Sequence, residues 1–311
     1  MNNVLIYSSD YCLEHRPGPS HPESPERLVA VRKALRAPEF KDIPWKDAPL
    51  GTIEQLLLVH DADYIKRVER LSPKSGYVPL DGGDTVMSPG TWNAVMACVG
   101  AACAGVDDVI DGVAKRVFCA TRPCGHHAVA DRAMGFCVFN QAAVAAAYAV
   151  EVRGLERVAV IDVDVHHGNG TQDMFFYKPN IFVGSTHQSP FYPGTGAKHE
   201  TGIDNNIVNI PMERGAGSES FRSRMEAEMF PALHRFKPSL IIISCGFDAH
   251  QKDPLGGLRF TDDDFHWIAR ELIKIAEQYG EGRVVSIMEG GYSLEGLATG
   301  TAAHVRALME D

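Results

Sequence analysis

The stretch IDVDVHHGNGTQ, residues 161–172, places Asp162, Asp164 and His166 at every second position, with Ile161, Val163 and Val165 between them. In an extended chain the three polar side chains project from one face and the apolar ones from the other. An imidazole and a carboxylate two residues apart at a strand end can grip one cation. Alone, such a pair is better read as a polar cap on a strand. Asp248, in CGFDAH after another apolar run, adds a third donor. One histidine and two aspartates leave a fourth tetrahedral position open, as catalytic zinc sites do and structural ones do not. Such an oxygen-rich set also accepts Fe2+ or another first-row metal.

His126 and His127, in RPCGHHA, follow a different apolar run. Tandem loop histidines are usually solvated or structural. Beside a metal, however, imidazole has the pKa suited to general acid/base work on water. Asp162 is placed to orient one ring and Asn169 the other. An aspartate partner raises a histidine's basicity and asparagine does not, so the two rings are expected to differ in role. Tyr292, in MEGGY, offers a phenol that can donate to an oxyanion opposite the metal; an ordinary tyrosine at a turn is the plainer alternative. The long loop STHQSPFYPGTG (185–196) and the segment GFCVF bring Tyr192 and Phe136, candidate apolar walls of a narrow channel.

These residues need a frame. Short β-rich runs at 3–7, 116–120, 157–165, 180–185, 206–210, 239–244 and 283–288 alternate with helical segments. The alternation predicts one α/β domain over 1–311, with a mainly parallel sheet covered by helices on both faces. Ser24-Pro25 and Ser88-Pro89 each read as an N-cap followed by proline at the first helical position. Asn140 and Thr261 precede two more helices, over 141–153 and 262–279. Each polar motif follows a strand, and the carboxyl ends of parallel strands share one edge, where ligands bind. The motifs are therefore expected to converge.

Composition bounds the rest. The 311 residues carry a net charge of -10 with scattered lysines and arginines, which argues against nucleic acid or an anionic membrane as partner. No apolar run near the length of a membrane helix stands out, and the first residues, MNNVLIYSSDYC, do not read as a signal peptide. A cytoplasmic location is the expectation. The seven cysteines, odd in number and in apolar context, read as reduced buried thiols.

RPCGHHA, DVDVHHGNGT, PFYPGTG, GFDAHQKDPLGG and MEGGYSLEGL occur in this order. Together they resemble the histone deacetylase family, nearest its class II and bacterial members, from about residue 21 through the last motif. The resemblance implies the arginase/deacetylase fold, with a central eight-stranded parallel sheet. It implies zinc held by Asp164, His166 and Asp248, with His127 as general base and then general acid. His126 would be the electrostatic partner bound to Asp162, and Tyr292 would polarise the amide carbonyl. It further implies structural K+ at Asp162, Asp164, His166, Ser185 and Thr186, largely through carbonyls. Phe136 and Tyr192, with neighbouring Gly135, would wall the acyl-lysine tunnel, Arg27 would line an inner acetate channel, and Asp84 and Leu255 would sit at the rim.

Two positions depart from or refine that pattern. Cys124 stands where the family usually has the second proline of RPPGHH, and Asn169 fits class II. The expected activity is a zinc-dependent deacetylase acting on acetylated lysine in a peptide or protein, or on a similar small acetylated amine, in a chain able to form homo-oligomers. An acetylpolyamine or general small-amide hydrolase is the nearest rival, although relatives with that preference carry an acidic residue at the position of Leu255. A dinuclear manganese ureohydrolase and a catalytically inactive acyl-binding protein are more distant readings.

Overall fold

The computed structural model describes residues 2–310. Ten strands follow in chain order: β1 (Asn2–Ser8), β2 (Trp45–Asp47), β3 (Val78–Pro79), β4 (Val86–Met87), β5 (Ala114–Ala120), β6 (Val158–Asp162), β7 (Ile181–Gln188), β8 (Ile207–Met212), β9 (Leu240–Cys245) and β10 (Val284–Met288). Eight form one sheet in the order β2-β1-β5-β10-β9-β6-β7-β8, and every pairing in it is parallel. β3 and β4 make a separate antiparallel hairpin.

Runs such as LIIIS and VAVI form these strands because β-branched side chains suit a pleated surface packed on both sides. Every residue of β6, β7, β9 and β10 is buried, so neither face of the central sheet meets water. Helices Thr91–Ile110 and Gln141–Glu151 pack together against the sheet, and Pro25–Ala34, Asp262–Tyr279 and Leu294–Met309 form a second packed group. This is the single α/β domain with a parallel sheet that the alternation predicts, and its eight strands agree with the fold that the resemblance implies.

Four local readings need correction. The apolar run 157–165 does not stay extended: β6 ends at Asp162. Asp162 Oδ1 accepts from the Asp164 N–H (3.0 Å), Asp164 Oδ1 from the His166 N–H (2.9 Å), and Asp248 Oδ1 from the Val165 N–H (2.9 Å). These carboxylates take the donors that a ladder would use, so the chain turns where the sequence pattern still reads as strand. β2 was not anticipated, because WKD is a three-residue edge strand with no apolar run. Ser88 is not an N-cap: Gly90 precedes the helix, and the Ser88 hydroxyl accepts from the Arg16 N–H at 2.8 Å. Finally, Thr91–Ile110 is long and apolar enough to cross a membrane, contrary to the composition reading, but most of it is buried within the domain as a core helix.

Asn140 caps its helix through a bond from the Ala143 N–H (2.9 Å), and the Thr261 N–H donates to Asp264 in the first turn of its own. All seven cysteines are buried and unpaired.

Candidate active site

Four neighbouring strands of the sheet centre, β5, β10, β9 and β6, deliver the polar motifs from their carboxyl ends. Beyond β6 lie Asp164 and His166, beyond β9 lies Asp248, beyond β5 lie His126 and His127, and beyond β10 lies Tyr292.

One donor atom each from Asp164, His166 and Asp248 falls within 4.8 Å of the others. His166 Nδ1 lies 2.9 Å from Asp164 Oδ1 and 3.3 Å from Asp248 Oδ2. Both carboxylates are fully buried. Asp248 Oδ2 has no hydrogen-bond partner, since its approach to His166 lacks bonding geometry. A buried carboxylate oxygen without a hydrogen bond, crowded against a second carboxylate and an imidazole, is costly unless a cation joins them. The charges confirm the crowding. Burial and the nearby Asp164 push the Asp248 carboxyl up to about 7. His166 is lifted to about 10 by the two carboxylates, against the opposing effect of burial. The donor set therefore fits a small divalent metal. Gly290 matters here as backbone: its N–H donates to Asp164 Oδ2 (2.9 Å), and a Cβ at this position would stand 2.1 Å from Asp248 Oδ2.

The two tandem histidines are set apart by their partners. His126 Nδ1 meets Asp162 Oδ2 at 2.8 Å, both groups being buried. Burial opposes charge on this ring, yet Asp162 and Asp164 raise its pKa well above the ordinary value. His127 Nδ1 meets Asn169 Oδ1 at 2.7 Å, and Asn169 Nδ2 donates to the His127 carbonyl at 3.2 Å. That second bond fixes which way the amide points. Its oxygen faces the ring, so Nδ1 carries the proton and Nε2 keeps its lone pair. Burial, with His126 and His166 close by, holds the His127 pKa well below the usual range. A protonated ring thus sits beside a neutral one.

A pocket of about 150 Å3 opens over this group, lined by Asp84, His127, Gly135, Phe136, His166, Tyr192, Leu255 and Tyr292. The Tyr192 ring stands edge-on to His127 (centroids 5.2 Å apart, 89°), and Phe136 stands edge-on to Tyr292 (5.9 Å, 84°). Burial pushes the Tyr292 phenol well above its usual pKa, so it remains a donor. Arg27 is buried beneath, with its guanidinium 5.0 Å from the Tyr292 ring centroid and its Nε donating to the Gly291 carbonyl (2.6 Å). Ser185 pairs in register with Asp162, and its hydroxyl is engaged by His187 (2.9 Å); the Thr186 hydroxyl is buried without a hydrogen bond.

Several supporting residues escaped the sequence reading. Glu289 accepts from the Gly125 N–H (2.6 Å), the His126 N–H (3.3 Å) and the Ser244 hydroxyl (2.8 Å), tying the histidine loop to β9 and β10. Glu23 pairs with both Arg27 (2.9 Å) and Arg122 (2.6 Å). Asp253 Oδ2 accepts from the Tyr292 N–H (2.7 Å), while its Oδ1 accepts from the Leu255 N–H (2.9 Å). Phe191 stacks on His166 (5.1 Å, 16°). Acids within MEGG and HPES, and an aspartate before Pro254, were visible signals, but only the fold shows what they hold.

A metal-capable triad, an unprotonated imidazole and a phenol around one narrow pocket, at the carboxyl edge of a parallel sheet, define a hydrolase-type site for a slender substrate. The histone deacetylase domain profile matches residues 21–308. The chain is 36% identical to "Histone deacetylase 10, chloroplastic" of Oryza sativa subsp. japonica, covering 98% of this chain and 73% of that one. It is 35% identical to "Histone deacetylase-like amidohydrolase" of Pseudomonas aeruginosa, covering 93% and 82%. The crystal structure of the HDA15 HD domain superposes with a TM-score of 0.93 at 30% identity, covering 99% of this chain and 88% of the other. The chain belongs to the histone deacetylase family, hydrolases of the deacetylase and amidohydrolase class.

Proposed function

We propose that the protein is a zinc-dependent deacetylase that hydrolyses the acetyl amide on the side-chain amine of lysine. The observation that carries this reading is Asp248 Oδ2, buried without a hydrogen bond beside Asp164 and His166, below a pocket walled by Phe136 and Tyr192. Asp164, His166 and Asp248 would hold the metal, which supplies Lewis acidity to polarise the carbonyl and acidify water.

The residues of the chain do the rest. An acylated lysine side chain, apolar along its methylenes, fits between the two aromatic rings, which exclude bulk water. His127, neutral with Nε2 free, takes a proton from the attacking water. The Tyr292 phenol donates to the carbonyl oxygen and holds the negative charge that develops there. The proton on His127 Nε2 then passes to the departing amine as the C–N bond breaks. His126 stays protonated beside Asp162, and its charge opposes protonation of His127 until the attacking water yields its proton. The K+ expected near Asp162 takes no part in these steps.

The test is a comparison of kcat/KM on an acetyl-lysine peptide and on acetylputrescine, with zinc content measured on the same preparation. Preference for the peptide supports the reading. Strong preference for the polyamine overturns the substrate assignment, and no hydrolysis of either by the zinc-loaded protein overturns the enzyme itself.

A further inference from the structure

The tunnel wall is held in an unfavourable backbone shape. Met134 and Cys137 exchange both backbone hydrogen bonds (3.0 and 2.9 Å) around Gly135 and Phe136, a tight turn with two central residues. Both central residues have positive φ, +54° and +70°. Turns of this kind favour glycine or asparagine at both positions, and a bulky aromatic in the left-handed region is rare. Gly135 satisfies the demand, but Phe136 does not. The Phe136 ring can face the pocket only if something outside the turn keeps its backbone there.

Two residues of a sequence-distant hairpin do so. In such a turn the two central N–H groups point away from the turn, and here both are taken up by the β3–β4 hairpin. Gly135 N–H donates to Asp81 Oδ2 (3.2 Å), and Phe136 N–H donates to Thr85 Oγ1 (2.9 Å). The Thr85 hydroxyl in turn donates to Asp81 Oδ2 (2.6 Å), and Asp81 Oδ1 accepts from the Thr85 N–H (2.5 Å). Thr85 is buried. The hydroxyl thus links the carboxylate to the wall. The same hairpin turn carries Asp84, which lines the pocket mouth and whose carbonyl meets His21 Nε2 (3.1 Å); His21 packs edge-on against Phe136 (4.6 Å).

We infer that Asp81 and Thr85 are positioning residues that set the tunnel width by clamping Phe136, so the β3–β4 hairpin determines which acyl-amine side chains fit. This rests on the deacetylase reading above. It places the control of substrate fit in a segment that supplies neither a residue of the metal-capable triad nor the proposed general base. A loosened wall weakens ground state and transition state alike, so KM carries the effect.

The experiment pairs Thr85→Val, which keeps shape and removes the hydroxyl, with Thr85→Ser, which keeps the hydroxyl. Hydrogen exchange at the Gly135 and Phe136 amides is read alongside kinetics on an acetyl-lysine peptide. Thr85→Val is expected to speed both amides at least about tenfold and raise KM by about fivefold to tenfold, with kcat within threefold, as loss of one hydrogen bond allows. Thr85→Ser stays within about twofold of the unmodified protein on both readouts. In a Phe136→Ala background Thr85→Val adds no further change in KM. Unchanged exchange in Thr85→Val overturns the clamp, as does a KM rise that serine fails to rescue or that persists in the Phe136→Ala background. The unmodified protein failing to turn over the peptide overturns the deacetylase reading instead, and the exchange result then still decides the clamp.

Discussion

Asn169 grips His127 at two points, its amide oxygen on ring Nδ1 (2.7 Å) and its amide nitrogen on the His127 carbonyl (3.2 Å). Ring tautomer and ring orientation are thereby set by one side chain. Asn169→Ala is expected to lower kcat by about 10- to 100-fold, less than the roughly 10²- to 10⁴-fold that general acid–base catalysis contributes as a whole, while metal content is unchanged. Steady-state kinetics with metal analysis on the same sample checks this; an unaltered kcat removes Asn169 from the reaction.

Tyr292→Phe keeps the ring contacts with Phe136 and Arg27 and deletes only the hydroxyl. The expected loss is about 10²- to 10³-fold in kcat, the scale of one oxyanion donor, with thermal stability little altered. Equal turnover by the two proteins would remove the phenol from the mechanism.

Removal of metal should silence the enzyme and also soften the fold, because Asp164 and Asp248 face each other in a buried site. A chelator is expected to lower Tm and abolish hydrolysis, and added zinc to restore both, since a ligand that binds only the native state stabilises it. One zinc per chain is the expected stoichiometry by elemental analysis; two manganese or other transition-metal ions would favour a dinuclear ureohydrolase.

Acid should weaken the fold through His60, which is remote from the triad in the sequence and buried. Its Nε2 accepts the Asn140 N–H (2.9 Å) and its Nδ1 donates to the Val129 carbonyl (3.1 Å), an arrangement that needs a neutral ring. Burial pushes the ring down to about 4, against the raising effect of the backbone carbonyls. Below its unfolded pKa near 6.5 the unfolded chain takes up a proton that the native state refuses, so stability is complete above about 6.5 and falls as pH drops toward 4. The loss over that window is about 3 kcal/mol for this one group. Urea unfolding at pH 7 and pH 4.5 should show a smaller pH dependence in His60→Gln; an identical dependence would remove His60 from the acid response.

Glu23 is the common counter-ion of two buried arginines, Arg27 and Arg122. Glu23→Gln would leave their charges uncompensated, at a cost of about 3 to 5 kcal/mol, measurable as a fall in the urea midpoint. A midpoint within error of the unmodified protein would show that the backbone carbonyls around both guanidinium groups suffice.

Legibility followed the physics of each signal. Long apolar runs bounded by turns gave seven of the sheet's strands, because a parallel strand buried on both faces must be apolar throughout. The chemistry-bearing residues were legible because four motifs each followed such a run, and parallel strands share an edge. What stayed hidden was what holds them. The turn after Asp162 depends on carboxylates capturing backbone donors, among them Asp248, which accepts from the Val165 N–H 83 residues away. The Asp81–Thr85 contact to Gly135 and Phe136 spans about fifty residues and leaves no periodic trace. β2 is too short to carry a pattern at all.

The strand order also fixes when the site can come into being during synthesis. β5 and β6 are consecutive in the main sheet yet not neighbours in it, since β10 and β9 lie between them. A nascent chain lacking residues beyond 239 holds only two three-stranded halves, β2-β1-β5 and β6-β7-β8, whose facing strands have no partner between them. Asp248 and Tyr292 arrive with the two strands that close this gap. On the proposed mechanism the emerging polypeptide is therefore inert until Asp248 and Tyr292 have been made, and joining the halves and completing the candidate site are one event.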